Sequence, residues 1–253
     1  MGFIPDVRTI VRMTPPKEKR QAMLFSATLS DDVMRLASSW MPDPVKVEID
    51  PEEMTVDTID QVVYAVRAEE KMPLLYNLLM TRQMDRVLVF GNRRDRMQRI
   101  YDILDALGIS CALLSGAVAQ QKRLRVLDDF RAGTVRVLIA TDVAGRGLHV
   151  DDVSHVVNFD LPYEAQDYVH RIGRTGRAGH AGTAVSFACE DESFVIPEIE
   201  KFIGRTLPCR VPEEALVVPL PPYKRKTPPR DGEERHGGRP GGGRGRSGPG
   251  RGP

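Results

Sequence analysis

No apolar run in this chain is long enough to cross a bilayer, and Met1 to Arg20 lacks the apolar core of a signal peptide. These gaps lead us to expect a soluble, cytoplasmic protein without a membrane partner. Cysteine is scarce: Cys111, Cys189 and Cys209 lie far apart and lack metal-ligand spacing. That pattern excludes a disulfide-stapled secreted domain, and it predicts buried, reduced thiols and no metal site. Nor is there a large charge excess, the formal net being +1. The balance conceals an asymmetry. From Lys224 to Pro253 nine Lys/Arg face three Asp/Glu, a net of +6 that leaves −5 for residues 1–223.

What is present suffices for one large domain with extensions: 253 residues, 41% of them hydrophobic. Residues 1–49 do not read as a complete domain. Ala22–Ala27 and Val45–Ile49 are strand candidates, and between them Ser30 is placed to cap a helix carrying Val33, Leu36, Ala37 and Trp40. Such a piece cannot close a core alone. Residues 50–58 are polar and open Asp-Pro-Glu-Glu, as an interdomain linker does.

From Ile59 strand and helix patterns alternate up to about residue 210. Strand candidates are Gln61–Val66, Arg86–Phe90, Cys111–Leu114, Val135–Ala140, Val153–Phe159 and Thr183–Ala188. Runs such as Val-Leu-Val-Phe and Val-Leu-Ile-Ala are apolar on both faces, so the expected fold is α/β, a doubly wound parallel sheet with helices on both faces. Ligands of such sheets gather at the carboxyl ends of the strands, where Gly91–Arg94, Ser115-Gly116 and Thr141-Asp142 fall. Residues 211–253, rich in proline, glycine and arginine, form a basic tail expected to be disordered.

The most ordered cationic stretch is His170–Arg177, reading His-Arg-Ile-Gly-Arg-Thr-Gly-Arg. A helix over Tyr163–Ile172 ends near Gly173 and leaves Arg174 and Arg177 in the irregular segment beyond it. Guanidinium groups so presented bind phosphate oxygens in bidentate fashion. A solvated basic loop is the competing reading.

Set beside that loop, other segments make the chain resemble the C-terminal half of a DEAD-box RNA helicase. Ser26-Ala27-Thr28 resembles motif III, Val87–Arg94 motif IV, and Gln120 with Arg123 motif IVa. Ala140 to Gly147 resembles motif V, and His170–Arg177 resembles motif VI. Within the family the chain is most similar to the bacterial RhlB type of the RNA degradosome, through Gly-Ala-Val-Ala-Gln-Gln-Lys-Arg-Leu-Arg-Val-Leu-Asp-Asp-Phe, Gly-Leu-His-Val and the basic tail.

The resemblance implies a RecA-like domain over residues 59–210 and, in residues 1–49, the trailing edge of a first RecA-like domain. It implies ATP with Mg²⁺ bound mainly by that first domain, Arg174 and Arg177 as arginine fingers, and Gly147 and His149 on the ribose side. Gly116, Arg123 and Thr141 are implied to grip the RNA backbone without reading sequence, with Gln120 orienting Arg123. For Arg123 a helix-surface ion pair with Asp128 or Asp129 is the alternative. Ser26, Ala27, Thr28, His170 and Arg171 are implied to couple the two domains, and a degradosome ribonuclease is the implied protein partner.

Two positions depart from the family pattern. His149 stands where many members carry aspartate, and Arg93 replaces the threonine of motif IV. Neither Gly-x-x-x-x-Gly-Lys-Ser/Thr nor Asp-Glu-Ala-Asp occurs in the chain. The expectation is therefore a helicase portion that is inactive alone, with an RNA-binding adaptor module or half of a DNA helicase as the competing readings.

Overall fold

The computed structural model describes residues 4–26, 31–47, 59–114, 120–142, 153–176 and 181–224. The chain divides into two compact units, Met1–Glu53 and Met54–Pro253.

The first unit contains helices α1 (Ile4–Arg12) and α2 (Asp31–Trp40). Arg20 links their ends: its guanidinium donates to the Val11 carbonyl at 3.2 Å, the Thr14 hydroxyl at 2.6 Å and the Trp40 carbonyl at 3.2 Å. The strands expected here do not form in the described residues 22–26 and 45–47, and Phe25 and Val45 stand 87% and 89% exposed. A strand exists only against a neighbour that takes its N–H and C=O groups, and no described residue of this unit offers one. Helix α1, which the sequence reading did not anticipate, buries no residue. We therefore expect the amides of residues 22–26 and 45–47 to be unprotected in native-state hydrogen exchange. Uniformly slow exchange there, at the rate of the strands in the second unit, would overturn that expectation.

Among the described residues the second unit is built on seven strands: β1 (Ile59–Ala65), β2 (Val87–Phe90), β3 (Cys111–Leu114), β4 (Val137–Ala140), β5 (His155–Asn158), β6 (Gly182–Ala188) and β7 (Cys209–Arg210). Every pairing is parallel, and the order across the sheet is β3-β4-β2-β5-β6-β1-β7. The α-helices among the described residues of this unit are α3 (Lys71–Thr81), α4 (Arg94–Ala106), α5 (Gln120–Arg131), α6 (Ala165–Ile172) and α7 (Ile196–Ile203).

Alternation along the strands divides the core. Val87 and Val89 of β2 pack with Leu74 and Leu78 of α3 and Met97 and Ile100 of α4 on one face. Leu88 and Phe90 point the other way, to Leu127 and Phe130 of α5. On that second face α6 and α7 set Tyr168, Ile172 and Ile199 against Ile59, Val63 and Ala184. Both faces of the central strands are thus covered, which is why their sequences carry apolar residues at successive positions.

The buried face of α5 is carried by Leu127 and Phe130, Leu124 being 51% exposed. Two expectations need correction. Of the cysteines only Cys189 is buried; Cys209 is exposed on the short edge strand β7, where no further strand pairs with it among the described residues. Residues 213–218 also pack on the folded body: Leu216 is buried, and the Asn77 amide donates to the Leu216 and Val218 carbonyls at 3.0 Å each. One leucine and one buried amide hold a stretch whose proline content suggested a tail.

Candidate functional site

The carboxyl ends of β4, β2 and β5 lie side by side in the sheet, and each is followed two residues later by a polar group: Asp142, Asn92 and Asp160. The connection after β2 leads toward β3 and the one after β5 toward β6, in opposite directions along the sheet. This is the switch point at which open α/β sheets form a crevice.

Arg171 fills it. The residue sits in the last turn of α6 and is 1% exposed. Nε donates to Asp142 Oδ1 at 2.6 Å, and Nη2 to Asp142 Oδ2 and Asn92 Oδ1, both at 2.7 Å. Nη1 donates to the Asp160 carbonyl at 2.7 Å and to Asn158 Oδ1 at 3.4 Å. A guanidinium has five N–H groups, and these five bonds use them all. The cation also lies 5.5 Å from the centre of the Phe90 ring. Arg171 thus binds three strand ends of its own unit. It has no donor left to give.

Asp160 extends the network. Its side chain accepts from the Asn92 backbone N–H at 3.1 Å and from Arg96 at 2.5 Å, and it lies 3.7 Å from the Lys71 ammonium. Lys71, 1% exposed, also donates to Glu192. Burial pushes the Glu192 carboxyl above its ordinary range, and the Lys71 bond opposes that rise. Three cations (Lys71, Arg96, Arg171) meet three carboxylates (Asp142, Asp160, Glu192), and the described residues contain no buried side-chain polar atom without a partner. Buried charges are tolerated only when matched and hydrogen-bonded in this way.

The helix end carries the anchored residue directly into the basic loop. The Gly173 N–H donates to the Val169 carbonyl at 2.9 Å, Arg174 N–H to Arg171 at 3.2 Å and Thr175 N–H to Ile172 at 3.0 Å. Arg174, half-buried, is one turn past Arg171. Thr175 is 1% exposed, and its hydroxyl donates to the Val153 carbonyl, with the Ser154 carbonyl at 3.2 Å. Gly176 follows with φ of +69°, a backbone suited to glycine. Gly182 at the start of β6 presses on the same point: a Cβ there would lie 2.3 Å from Thr175 Oγ1 and 2.4 Å from the Gly176 nitrogen. The loop is fastened on both sides of Arg174.

Of the other residues singled out, Thr141 and Arg123 are half-buried, at the end of β4 and in the first turn of α5. Asp128 pairs with Arg131 at 3.0 Å. His170 is half-buried, with Nδ1 3.7 Å from Asp167. Ser26 is exposed in the first unit. Arg93 pairs with Asp95 at 2.8 Å on the surface and thereby holds the Asp95 carboxyl below its usual range. Ala27, Thr28, Gly116, Gly147, His149 and Arg177, and the side chain of Gln120, lie outside the described residues. Sequence reasoning missed the roles of Asn92, Asp160, Lys71, Glu192 and Thr175. A signal existed for two of them: Lys71 opens a largely apolar helix, and Asp160 is a carboxylate two residues past the buried strand β5.

A profile described as the helicase conserved C-terminal domain matches residues 70–179, which include Arg171 and its strand-end partners. Among solved structures, the E. coli DEAD-box protein SrmB bound to regulator of ribonuclease activity A is 35% identical, with a TM-score of 0.59, over 66% of this chain and 98% of that one. This chain belongs to the DEAD-box helicase family. S. cerevisiae Dbp5 bound to RNA and ADP BeF3 aligns over 83% of the DEAD-box chain described here and 56% of its own, at 31% identity and a TM-score of 0.72. The ATP-dependent RNA helicase RhlB of Pseudomonas aeruginosa is 55% identical over 221 residues, which are 87% of this chain and 56% of that relative. The chain therefore corresponds to the C-terminal portion of an RhlB-type DEAD-box helicase and spans a little over half the length of that relative. The RecA-like fold expected from the sequence is the fold found. No helix among the described residues is long and apolar enough to cross a membrane.

Proposed function

We propose that this chain supplies one half of the ATP-hydrolysing site and one half of the RNA path of a helicase that couples ATP hydrolysis to RNA duplex unwinding in the cytoplasm. The observation that carries the reading is the fastening of Arg174 between Arg171 and Thr175 at the switch-point end of the sheet. A guanidinium held by its backbone on both sides is pre-organised for a phosphoryl group and loses little freedom in reaching it. The relatives' designation as ATP-dependent RNA helicases supports the same assignment.

In this reading Arg174 and Arg177 are arginine fingers directed at the γ-phosphate, and Gly147 and His149 face the ribose. ATP with Mg²⁺ is held mainly by a first domain that carries the Gly-rich loop and the acidic metal site. Thr141, Gly116 and Arg123 bind the RNA sugar-phosphate backbone as hydroxyl, amide and guanidinium donors, none of which reads a base. Ser26, Ala27, Thr28, His170 and Arg171 couple the domains.

The 253-residue chain alone should show no RNA-stimulated ATP hydrolysis. With the first domain restored, Arg174→Ala and Arg177→Ala should each lower turnover by about a thousandfold or more, RNA affinity changing little. Hydrolysis by the isolated chain at ordinary enzyme rates would sink the reading, as would variants that lose RNA affinity while turning over normally.

The capture of SrmB with a protein regulator favours a second role for the same domain, as an adaptor docking a degradosome ribonuclease. Pull-down of a ribonuclease by a chain with Arg174 and Arg177 both neutralised separates that role from catalysis.

A further inference from the structure

Beside the Asp160 network a cleft of about 180 Å³ opens at the surface. Tyr163 and Phe194 line it and are 75% and 71% exposed, an unusual display of two rings at one opening. Leu161 and Val195, both buried, lie beneath them. The cations that reach the cleft are already matched, Arg93 by Asp95 and Arg96 by Asp160 and Glu192. Asp191, exposed on the same wall, has no ion-pair partner among the described residues. Two aromatic faces and one unmatched carboxylate suit a planar cation, which stacks on the rings and pairs with the acid.

The chain carries such cations close by. Glu213 lies 3.6 Å from Arg82, just past the end of α3, whereas Leu216 and Val218 bond to Asn77 in its middle. This segment therefore runs against α3, toward Lys71, whose ammonium is bonded to Glu192 on the cleft wall. From Asn77 to Lys71 the helix covers about 9 Å, and the proline-rich residues 219–224 span about 18 Å if extended. Beyond them residues 225–253 contain eight Lys/Arg against three Asp/Glu, among them Gly243-Arg244-Gly245-Arg246. Tethering to the same domain gives these arginines an effective concentration on the order of millimolar at the cleft.

We propose that the Tyr163–Phe194 cleft is a docking site for an arginine side chain of the chain's own Arg-Gly tail, residues 225–253, held by ring stacking and by Asp191. The contact is electrostatic and exposed, so salt and RNA phosphates compete for the same guanidinium groups.

The test uses the full 253-residue chain with p-benzoylphenylalanine at position 194, irradiated and mapped by mass spectrometry, in a mixture of isotopically light and heavy chains. Expected are cross-links from position 194 to residues 225–253 within one chain. Asp191→Lys and, separately, Tyr163→Leu should each lower their yield roughly fivefold, the loss of one exposed ion pair or cation–π contact. Substituting Arg239, Arg244 and Arg246 by glutamine should do the same while leaving the circular dichroism of the folded body unchanged. Single-stranded oligouridylate should reduce the tail cross-links. Cross-links confined to residues 59–224, mixed light–heavy products, or direct cross-linking of the oligonucleotide to position 194 would each overturn the proposal; the last would assign the cleft to RNA bases instead.

Discussion

Replacing Arg171 by alanine should destabilise the second unit by about 3–5 kcal/mol, the usual consequence of removing one partner from a buried, hydrogen-bonded charge cluster. The size follows from what remains. Asp142 keeps its charge without a counter-ion, and the Asn92 and Asn158 amides and the Asp160 carbonyl each lose a donor at an enclosed site. Lysine is no substitute, because a single ammonium has three donors on one atom and cannot span three strand ends that a planar fork reaches at 2.6–2.7 Å. Arg171→Lys should therefore recover only a small part of the loss. Urea unfolding followed by far-ultraviolet circular dichroism measures both variants; a midpoint within experimental error of the parent for Arg171→Ala would refute the account.

Gly182→Ala is the second large effect expected, and it arises from steric overlap. The added methyl meets the Thr175 hydroxyl at 2.3 Å and the Gly176 backbone nitrogen at 2.4 Å, both well inside contact distance. Overpacking of this kind costs about 1–3 kcal/mol where neighbours can shift, and here one neighbour is backbone. Relief requires the Arg174–Gly176 segment to move, so the variant should also lose any activity that depends on the position of Arg174. Combining it with Thr175→Ala removes the side-chain clash but keeps the backbone one, so stability should be rescued only in part. Full rescue by the double substitution would show that Gly176 is free to retreat and that the loop is less firmly held than its bonds indicate.

The sheet was legible because burial on both faces leaves a plain trace. Cys111–Leu114 was placed to the residue, and the other long strands were located with ends off by one or two positions. The edge strand β7 went unseen, since two exposed residues, Cys209 and Arg210, give no pattern to read. In residues 1–49 the reverse held. Apolar runs looked like strands, but strand formation depends on neighbours, which composition cannot supply. The basic loop was conspicuous from its spacing, whereas its fastenings were not. Thr175 looks like any polar loop residue until its hydroxyl is seen to donate a hydrogen bond to the Val153 carbonyl, 22 positions away. Lys71 and Glu192 are separated by 121 positions, and nothing local announces that they meet.

The crevice at the switch point, where sheets of this class commonly receive a guest, already has an occupant in Arg171. It is a permanent lodger, covalently part of the host. The spacing of the three strand ends is therefore set during folding and needs no nucleotide to maintain it. The turn that carries Arg174 begins at this anchored residue, so its starting position is fixed by the same bonds that hold the three strand ends together.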